Sequence, residues 1–476
     1  MSDELKPDIC IIGGGAGGVA LAAGAAQLGA KVVLIERGLV GGDNLHRGSL
    51  PSKALIAAAN RAHSARQTRP FGIAPMTPAV NMRALGEHIQ SVIAAIAPNE
   101  SSERLAGFGV HVLRGFAKFI SRTVVTIDNR RVAARSFVIA TGSSPVVPAL
   151  QGLDAVPYLT NQTLFSNIAR FDHLIVLGNT GRALELAQAH LRLGSRVTVI
   201  APTRFLPEFD AELTRPLTVK LAEEGLVLAE GVTCDRIEAT DAGGFRLHLS
   251  KDGELDRLEG THLLVCGDRT PNIEGLGLEA AGVQFAATGI KVSNKLRTSN
   301  RLVYALGDVT PGPPSATRAR HEASILMRRL ALGASVVTRP EILPTVIYTS
   351  PGLAHIGMGE TEAQAKYRSG LRVLRWPFSE NDRAIAERQT EGFVKILAGP
   401  SGRILGATIV GEQAAELIQT WCLAVASGLT VGAVAESIAA YPTFSETSLR
   451  AAQGYTLERP LAPGLGAALR LRPNRS

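Results

Sequence analysis

Cysteine is scarce: four in 476 residues, Cys10, Cys234, Cys266 and Cys422, with no two close in sequence. That spacing offers neither a CxxC redox motif nor a set of metal thiolates. Cys10 and Cys266 sit in apolar runs that read as strands and Cys422 in an apolar helix. Free, buried thiols are therefore expected, which suits a reducing compartment. Aromatic residues are only 5% and do not interleave with basic ones. The net charge of +8 is spread along the chain, densest only at Arg470, Arg472 and Arg475. It reads as a basic surface with anion sites for dinucleotide phosphates, not as a nucleic-acid face. No uninterrupted apolar run reaches the ~20 residues of a membrane helix. The opening MSDELKPD is acidic and polar, unlike a secretory signal. The expectation is a soluble, cytoplasmic protein that binds neither nucleic acid nor membrane.

What is present is glycine (49 residues), abundant alanine and 45% hydrophobic residues, in a chain long enough for about three domains of ~150 residues. Small residues suit βαβ packing, where backbones approach closely. Asp8 to Ile12 predicts a strand, Gly13 to Gly18 a loop, Val19 to Leu28 a helix, and Lys31 to Glu36 a second strand. The pattern returns: strand His173 to Leu177, a loop at Gly178, helix Ala183 to Leu193, strand Arg196 to Ala201. The second unit reads as inserted within the first, because Asn300 to Asp308 again reads as strand followed by Gly-Asp. From about Pro340 the character changes. Strands are expected at Leu343 to Tyr348, Leu371 to Trp376, Gly392 to Leu397 and Ile404 to Val410, and helices at Gln413 to Ser427 and Val431 to Ile438. This is a separate α+β unit. The Gly-, Pro- and Arg-rich residues after about Pro460 read as a loose tail.

The first loop carries G-x-G-x-x-G at Gly13, Gly15 and Gly18. The first glycine makes the turn, the second lets a pyrophosphate reach the backbone, and the third lets helix and strand pack. The helix N-terminus then faces the phosphates. Glu36, at the tip of the second strand, can accept hydrogen bonds from a ribose diol, which suits FAD or NAD. Two further stretches favour FAD: Phe137 to Ser143, with Ala140, Thr141 and Gly142, and Tyr304 to Asp308, where Asp308 is placed for a ribityl chain.

With Gly41-Gly42, Pro51-Ser52-Lys53-Ala54-Leu55, Arg269-Thr270-Pro271-Asn272 and Tyr441-Pro442-Thr443-Phe444-Ser445-Glu446 added, residues 7 to 458 resemble the pyridine nucleotide–disulfide oxidoreductases. The resemblance is greatest to the dihydrolipoamide dehydrogenase and mercuric reductase branch. It implies an α/β fold class, with two Rossmann-like dinucleotide-binding domains plus a C-terminal α+β dimerisation domain, in a homodimer. FAD would bind residues 1–150 and 271–339, and NAD(P) residues 151–270. Residues 340–460 would form the interface and 461–476 the tail. The resemblance adds Arg37, Gly42 and Asp43 to the FAD site. It also matches Lys53 and Glu185 to a Lys–Glu pair beside flavin N5, where a cation tunes hydride acceptance; a plain structural ion pair is the other reading.

Three departures stand against the pattern. Where the family has G-G-x-C-L-N-x-G-C-x-P-S-K, Asn44 and Ser49 occupy the two cysteine positions. An amide and a hydroxyl store no electrons and form no disulfide, so dithiol exchange and mercuric-ion ligation by this pair are excluded. Ser49 with His46 lacks a third group for hydrolysis. Second, the later glycine loop keeps Gly178, but Thr180 and Ala183 replace the other glycines. Ala201 stands where an acid would hold an NAD ribose, and Arg204 follows, suited to a 2′-phosphate. NADPH is thus favoured over NADH if either binds. Gly181 replaces an aromatic that covers the flavin in relatives, leaving that face more open. Third, Tyr441 replaces a catalytic histidine while its orienting acid, Glu446, remains. A phenol with pKa near 10 is a poor base at neutral pH; Tyr441 serves either as a substrate hydrogen-bonding group across the interface or as a packed interface residue.

Two readings follow. In one, NAD(P)H reduces FAD and the electrons pass directly to a small-molecule acceptor such as a quinone, dye or oxygen. In the other, the chain is a catalytically silent FAD-binding homologue, a sensor, scaffold or partner subunit.

Overall fold

The computed structural model describes residues 4–241 and 243–457. Arg470, Arg472, Arg475 and the whole 461–476 stretch lie outside the described residues, as do 458–460. By its contacts the chain divides into two bodies. One runs to Leu206 and resumes from Glu224 to Arg339; the other joins Pro207–Glu223 to the residues from Pro340 onward. The helix Ala211–Glu223, inside the 151–270 stretch, thus groups with the C-terminal body.

In the first body, Ile9–Ile12 (Ile-Cys-Ile-Ile) is buried at every position. Such a run forms the middle of a parallel sheet covered on both faces. It pairs with Val32–Glu36 on one side and Ser136–Ile139 on the other; His111–Arg114 and Val303–Ala305 lie outside these. Three helices follow these strands toward the site: α1 (Ala16–Gln27), α2 (Gly42–His46) and α3 (Ser49–Arg66). Helix α1 begins three residues before the predicted Val19, because Gly15 rather than Gly18 ends the loop.

The second parallel sheet has His173–Leu177 at its centre, flanked by His262–Val265 and Arg196–Ala201, then by Tyr158–Thr160 and Val227–Glu230. Helix α4 (Gly181–Arg192) follows its central strand. Since Val303–Ala305 completes the first sheet, this second unit is inserted in the first. Helix α5 (Ala316–Leu332) packs on α1. A Cβ at Gly24 of α1 would lie 2.4 Å from Met327 Sδ on α5, which shows what the small residues of α1 permit.

In the C-terminal body five strands form an antiparallel sheet in the order Thr345–Ile347, Gly352–Gly357, Ile404–Gly411, Phe393–Ala398, Arg372–Pro377. Gly352–Gly357 has no counterpart among the expected strands; its terminal glycines, Ala354 and His355 dilute the apolar signal of a mostly buried run. Helix α6 (Ala414–Ala426) covers the sheet with a fully buried Trp421, whose Nε1 donates to Ser448 Oγ at 3.1 Å on α7 (Ser445–Leu457). The helix predicted over Val431–Ile438 ends at Ala435, leaving Ile438 exposed.

All four cysteines are unpaired. Cys10 and Cys266 are buried as expected, but Cys234 and Cys422 are only half-buried. Cys266 lies one residue beyond its strand. Among the described residues no helix is long and apolar enough to cross a membrane.

Candidate functional site

The strand–turn–helix at residues 9–27 shows why three glycines are spaced as they are. Gly13 has φ +108°, and a Cβ there would lie 2.4 Å from Ala140 O. A Cβ on Gly18 would meet Gly13 O at 1.9 Å. Gly15, the N-cap of α1, is different: nothing lies within 4 Å of where its Cβ would be. No side chain caps α1, so its first amides are left for a ligand.

Gly15 opens onto a long cleft. Its lining includes Glu36 and Arg37 at the tip of the second strand, Gly13, Ala140, Thr141 and Gly142, Gly42 and Asp43 of α2, and Asp308. Glu36 is held by two backbone amides, Gly14 N and Gly38 N, each at 2.6 Å. Asp308 accepts from Ser143 Oγ and Ser315 N, both at 3.0 Å. Asp43 puts a second carboxylate in the cleft, and Arg269 answers it: Nη2 donates to Asp43 Oδ2 at 2.8 Å from a side chain only 7% exposed. Arg269 also binds Ser143 Oγ and O, at 2.8 and 2.6 Å, so one guanidinium ties α2 to the Ala140–Ser143 segment. Thr141 and Asn272 exchange bonds of 2.7 and 2.9 Å. An open backbone with uncapped amides, a fixed carboxylate at one end and a fixed Asp308 farther along fit the pyrophosphate, adenosine ribose and ribityl chain of FAD.

The far end of the cleft is built by α2, α3 and α4. Asn44 on α2 and Ser49 at the start of α3 line it, with His46 and Arg47 between them. His46 Nε2 donates to Val40 O at 2.9 Å, so that nitrogen carries the proton. One turn after Ser49, Lys53 Nζ reaches Glu185 Oε2 of α4 at 2.7 Å; Glu185 is 6% exposed and Lys53 33%. The same two helices are tied again at their other ends. Arg192 donates to Asn60 Oδ1 at 2.6 Å and to both oxygens of Glu224, at 2.8 and 2.5 Å. Arg66 donates to Arg192 O at 2.7 Å.

The second glycine loop lies outside this lining. Gly178, φ +150°, turns tightly, since a Cβ would meet Cys266 O at 2.3 Å. Thr180 is the N-cap of α4 in ordinary extended backbone. Its hydroxyl accepts from Ala183 N at 3.3 Å and donates to Cys266 O at 3.1 Å. The replacement of the second glycine therefore serves the helix end rather than straining the turn. Asn179 bonds Thr203 at 2.9 Å and, through its carbonyl, Leu206 N at 2.9 Å. The loop carrying Arg204 is thus laced to the glycine loop.

Tyr441 and Glu446 belong to the C-terminal body. Tyr441 is 71% exposed and its hydroxyl donates to Asp382 Oδ2 at 3.0 Å, a contact that raises the phenol's pKa. Glu446 does not meet it; Glu446 Oε2 accepts from Thr443 N at 3.4 Å.

Several contributors escaped the sequence reading. Asn161 and Gln162, far from the glycine loops, also line the cleft, and Gln162 bonds Asp43 at 3.4 Å. Glu322 of α5 is buried and accepts from Gly307 N at 2.6 Å beside Asp308; burial raises its pKa. Arg182, next to Gly181, turns into the cleft. Its signal was a charged residue at the start of a helix that otherwise reads as buried.

Comparison with known proteins supplies context for this geometry. The family profile described as pyridine nucleotide-disulphide oxidoreductase matches residues 7–323, and that of the family's dimerisation domain matches 343–452. The chain is 34% identical over 443 residues to a mercuric reductase of Bacillus cereus, covering 92% of this chain and 70% of that one. It is 31% identical over 458 residues to a dihydrolipoyl dehydrogenase of Staphylococcus aureus, covering 94% and 96%. The crystal structure of LpdA from Mycobacterium tuberculosis matches with TM-score 0.86 at 28% identity, over 95% of this chain and 99% of that one. The copper(II) complex of the HOCl-induced flavoprotein disulfide reductase RclA from Escherichia coli matches at 0.83 with 23% identity over 94% and 99%, a likeness of fold.

Proposed function

The chain belongs to the pyridine nucleotide–disulphide oxidoreductase family, whose members use FAD and NAD(P)H, and on that premise we propose an oxidoreductase without a disulfide relay. It would take electrons from NAD(P)H and pass them from the flavin directly to a small acceptor, a quinone, dye or oxygen, as a homodimer. The observation that carries this is the pairing of a changed and an unchanged feature. Asn44 and Ser49, which the family resemblance sets at its two cysteine positions, line the cleft, while the Lys53–Glu185 pair one turn from Ser49 is formed at 2.7 Å.

When bound, FAD supplies the two-electron chemistry, accepting from a reduced nicotinamide and donating to the acceptor. The chain's part is binding, orientation and charge. The α1 amides and Gly15 receive the pyrophosphate, Glu36 the adenosine ribose, and Asp308 the ribityl hydroxyls. Arg269 cancels the charge of Asp43, which would otherwise repel the phosphates. Lys53, steered by Glu185, sets positive charge where negative charge develops on reduction. Arg204, with no acid at Ala201, favours NADPH. Tyr441 of a second copy would offer its hydroxyl to the acceptor across the dimer interface. The four unpaired thiols suit a reducing, cytoplasmic setting.

The test is an anaerobic titration with NADPH and then NADH, following flavin absorbance. Full bleaching by one equivalent, without a long-wavelength thiolate charge-transfer band, supports the proposal. Bleaching by dithionite but by neither nucleotide overturns it in favour of the silent flavin-binding reading, to which Thr180 and Ala201 already lend weight.

A further inference from the structure

Charge at the far end of the cleft does not balance. Asp43 is matched by Arg269 at 2.8 Å and Glu185 by Lys53 at 2.7 Å. Two cations then remain, Arg47 and Arg182. Arg47 is exposed; Arg182 is half-buried. Arg182 sits three residues before Glu185 on α4, so the two share a face of the helix. Its one acidic neighbour along that face is already engaged by Lys53. Among the described residues its guanidinium makes no hydrogen bond and no ion pair. A partly desolvated guanidinium without a partner is unfavourable, and an anion delivered to it relieves that cost. Asn44 and Ser49 line the same end as neutral hydrogen-bonding groups and add no negative charge to repel such an anion.

Resting on the reading above, we infer that Arg182 makes the site selective for an anionic electron acceptor: a small oxidant carrying a carboxylate or sulfonate. The guanidinium holds the anionic group by paired N–H bonds, Asn44 and Ser49 receive the remainder of the molecule, and Arg47 at the mouth attracts it. Gly181, with no side chain, leaves the approach open. Arg182 is thus a specificity residue and carries no proton or electron itself.

The experiment uses the flavin-loaded protein and the variants Arg182→Gln and Arg182→Lys, in two arms. In the first, naphthalene-2-sulfonate, which cannot be reduced here, is titrated against oxidised protein and read as a perturbation of flavin absorbance, with 2-naphthol as the uncharged control. The sulfonate should bind the native protein better than the control, about tenfold or more more weakly in Arg182→Gln, and with partial recovery in Arg182→Lys. In the second, kcat/KM is measured with 1,4-naphthoquinone-2-sulfonate and with 1,4-naphthoquinone. The ratio of sulfonated to uncharged should fall by a similar factor in Arg182→Gln. Equal binding of sulfonate and control, an unchanged ratio, a rise confined to the KM of NADPH, or loss of flavin from Arg182→Gln each overturns the inference; the last two would assign Arg182 to a cofactor. If NAD(P)H does not reduce the flavin, the function proposed above fails by itself, and the binding arm alone decides for or against an anion site at Arg182.

Discussion

Lys53 and Glu185, 132 positions apart in sequence, meet at 2.7 Å between two helices that start at the same end of the cleft. The acid is the more buried partner, at 6% against 33%. Removing the lysine alone therefore takes the opposite charge away from a buried carboxylate, whereas removing the acid leaves a lysine that is closer to water. Lys53→Met should lower stability by about 1–3 kcal/mol, and Glu185→Leu added to it should recover much of that loss. Flavin reduction by NAD(P)H should stay slow in both, by about tenfold or more, because the charge is missing in both. Denaturant melts and stopped-flow reduction separate the effects. Recovery of the reduction rate in the double variant would show the pair to be structural.

Gly15 and Gly13 should fail differently. A Cβ at Gly15 meets nothing within 4 Å and its φ of −77° is ordinary for any residue. Gly15→Val should therefore fold with a native circular dichroism spectrum and fill the space where a pyrophosphate would approach, emerging without flavin. Gly13→Val meets Ala140 O at 2.4 Å with φ +108° and should not fold properly. A Gly15→Val protein that stays yellow would mean that the flavin lies elsewhere.

The central strands of both parallel sheets were legible because they are short apolar runs at βαβ spacing, and the first cleft because glycine loop, strand-end acid and Gly-Asp each carry a local signal; the outer strands His111–Arg114, Tyr158–Thr160 and Val227–Glu230 were not anticipated. What remained hidden was set by distance. Arg269 meets Asp43 across 226 positions, and Asn161 reaches Arg47 across 114; no local pattern announces such pairs. Thr180 looked like a defect in a phosphate loop, and only its bonds to Ala183 and Cys266 show it as a cap. Gly352–Gly357 escaped because half of it is glycine or alanine and His355 interrupts it, although most of it is buried.

With Asn44 in the middle of α2 and Ser49 at the start of α3, no cysteine lines this part of the cleft among the described residues. Cys266, the cysteine next to α4's cap, is buried and its thiol is pushed up to about 11. The native protein should therefore show no lipoamide, glutathione or mercuric reductase activity in coupled NADPH assays. Clear turnover of any of the three would defeat the disulfide-free proposal.

The residues matched by the dimerisation profile, 343–452, include Ile438 at 96% exposure and Leu423 at 67%. Apolar side chains so bare are suited to burial against a second copy. Light scattering on a size-exclusion column should report a dimer, and Ile438→Asp should shift it toward monomer. A native monomer would remove the homodimer from the proposal.

His190 on α4 gives a prediction for pH. Its ring is wholly buried against Phe171, centroids 5.0 Å apart, and among the described residues neither nitrogen has a hydrogen-bond partner. His262 stacks on Phe171 at 4.4 Å, and its charge also opposes protonation of His190. Burial first, and His262 second, lower the His190 pKa from 6.5 to about 4. The folded state thus resists a proton that the unfolded chain accepts. The stabilisation is complete above pH 6.5 and is lost as pH falls toward 4, in all about 3 kcal/mol for a shift of this size. His173, bonded to Thr198, and His262 shift the same way and add to the slope. Urea midpoints measured from pH 7.5 to 4.5 should fall for the native protein and fall less for His190→Phe. Parallel curves for the two would mean that the histidine is neutral in both states, or reaches water through an opening of α4.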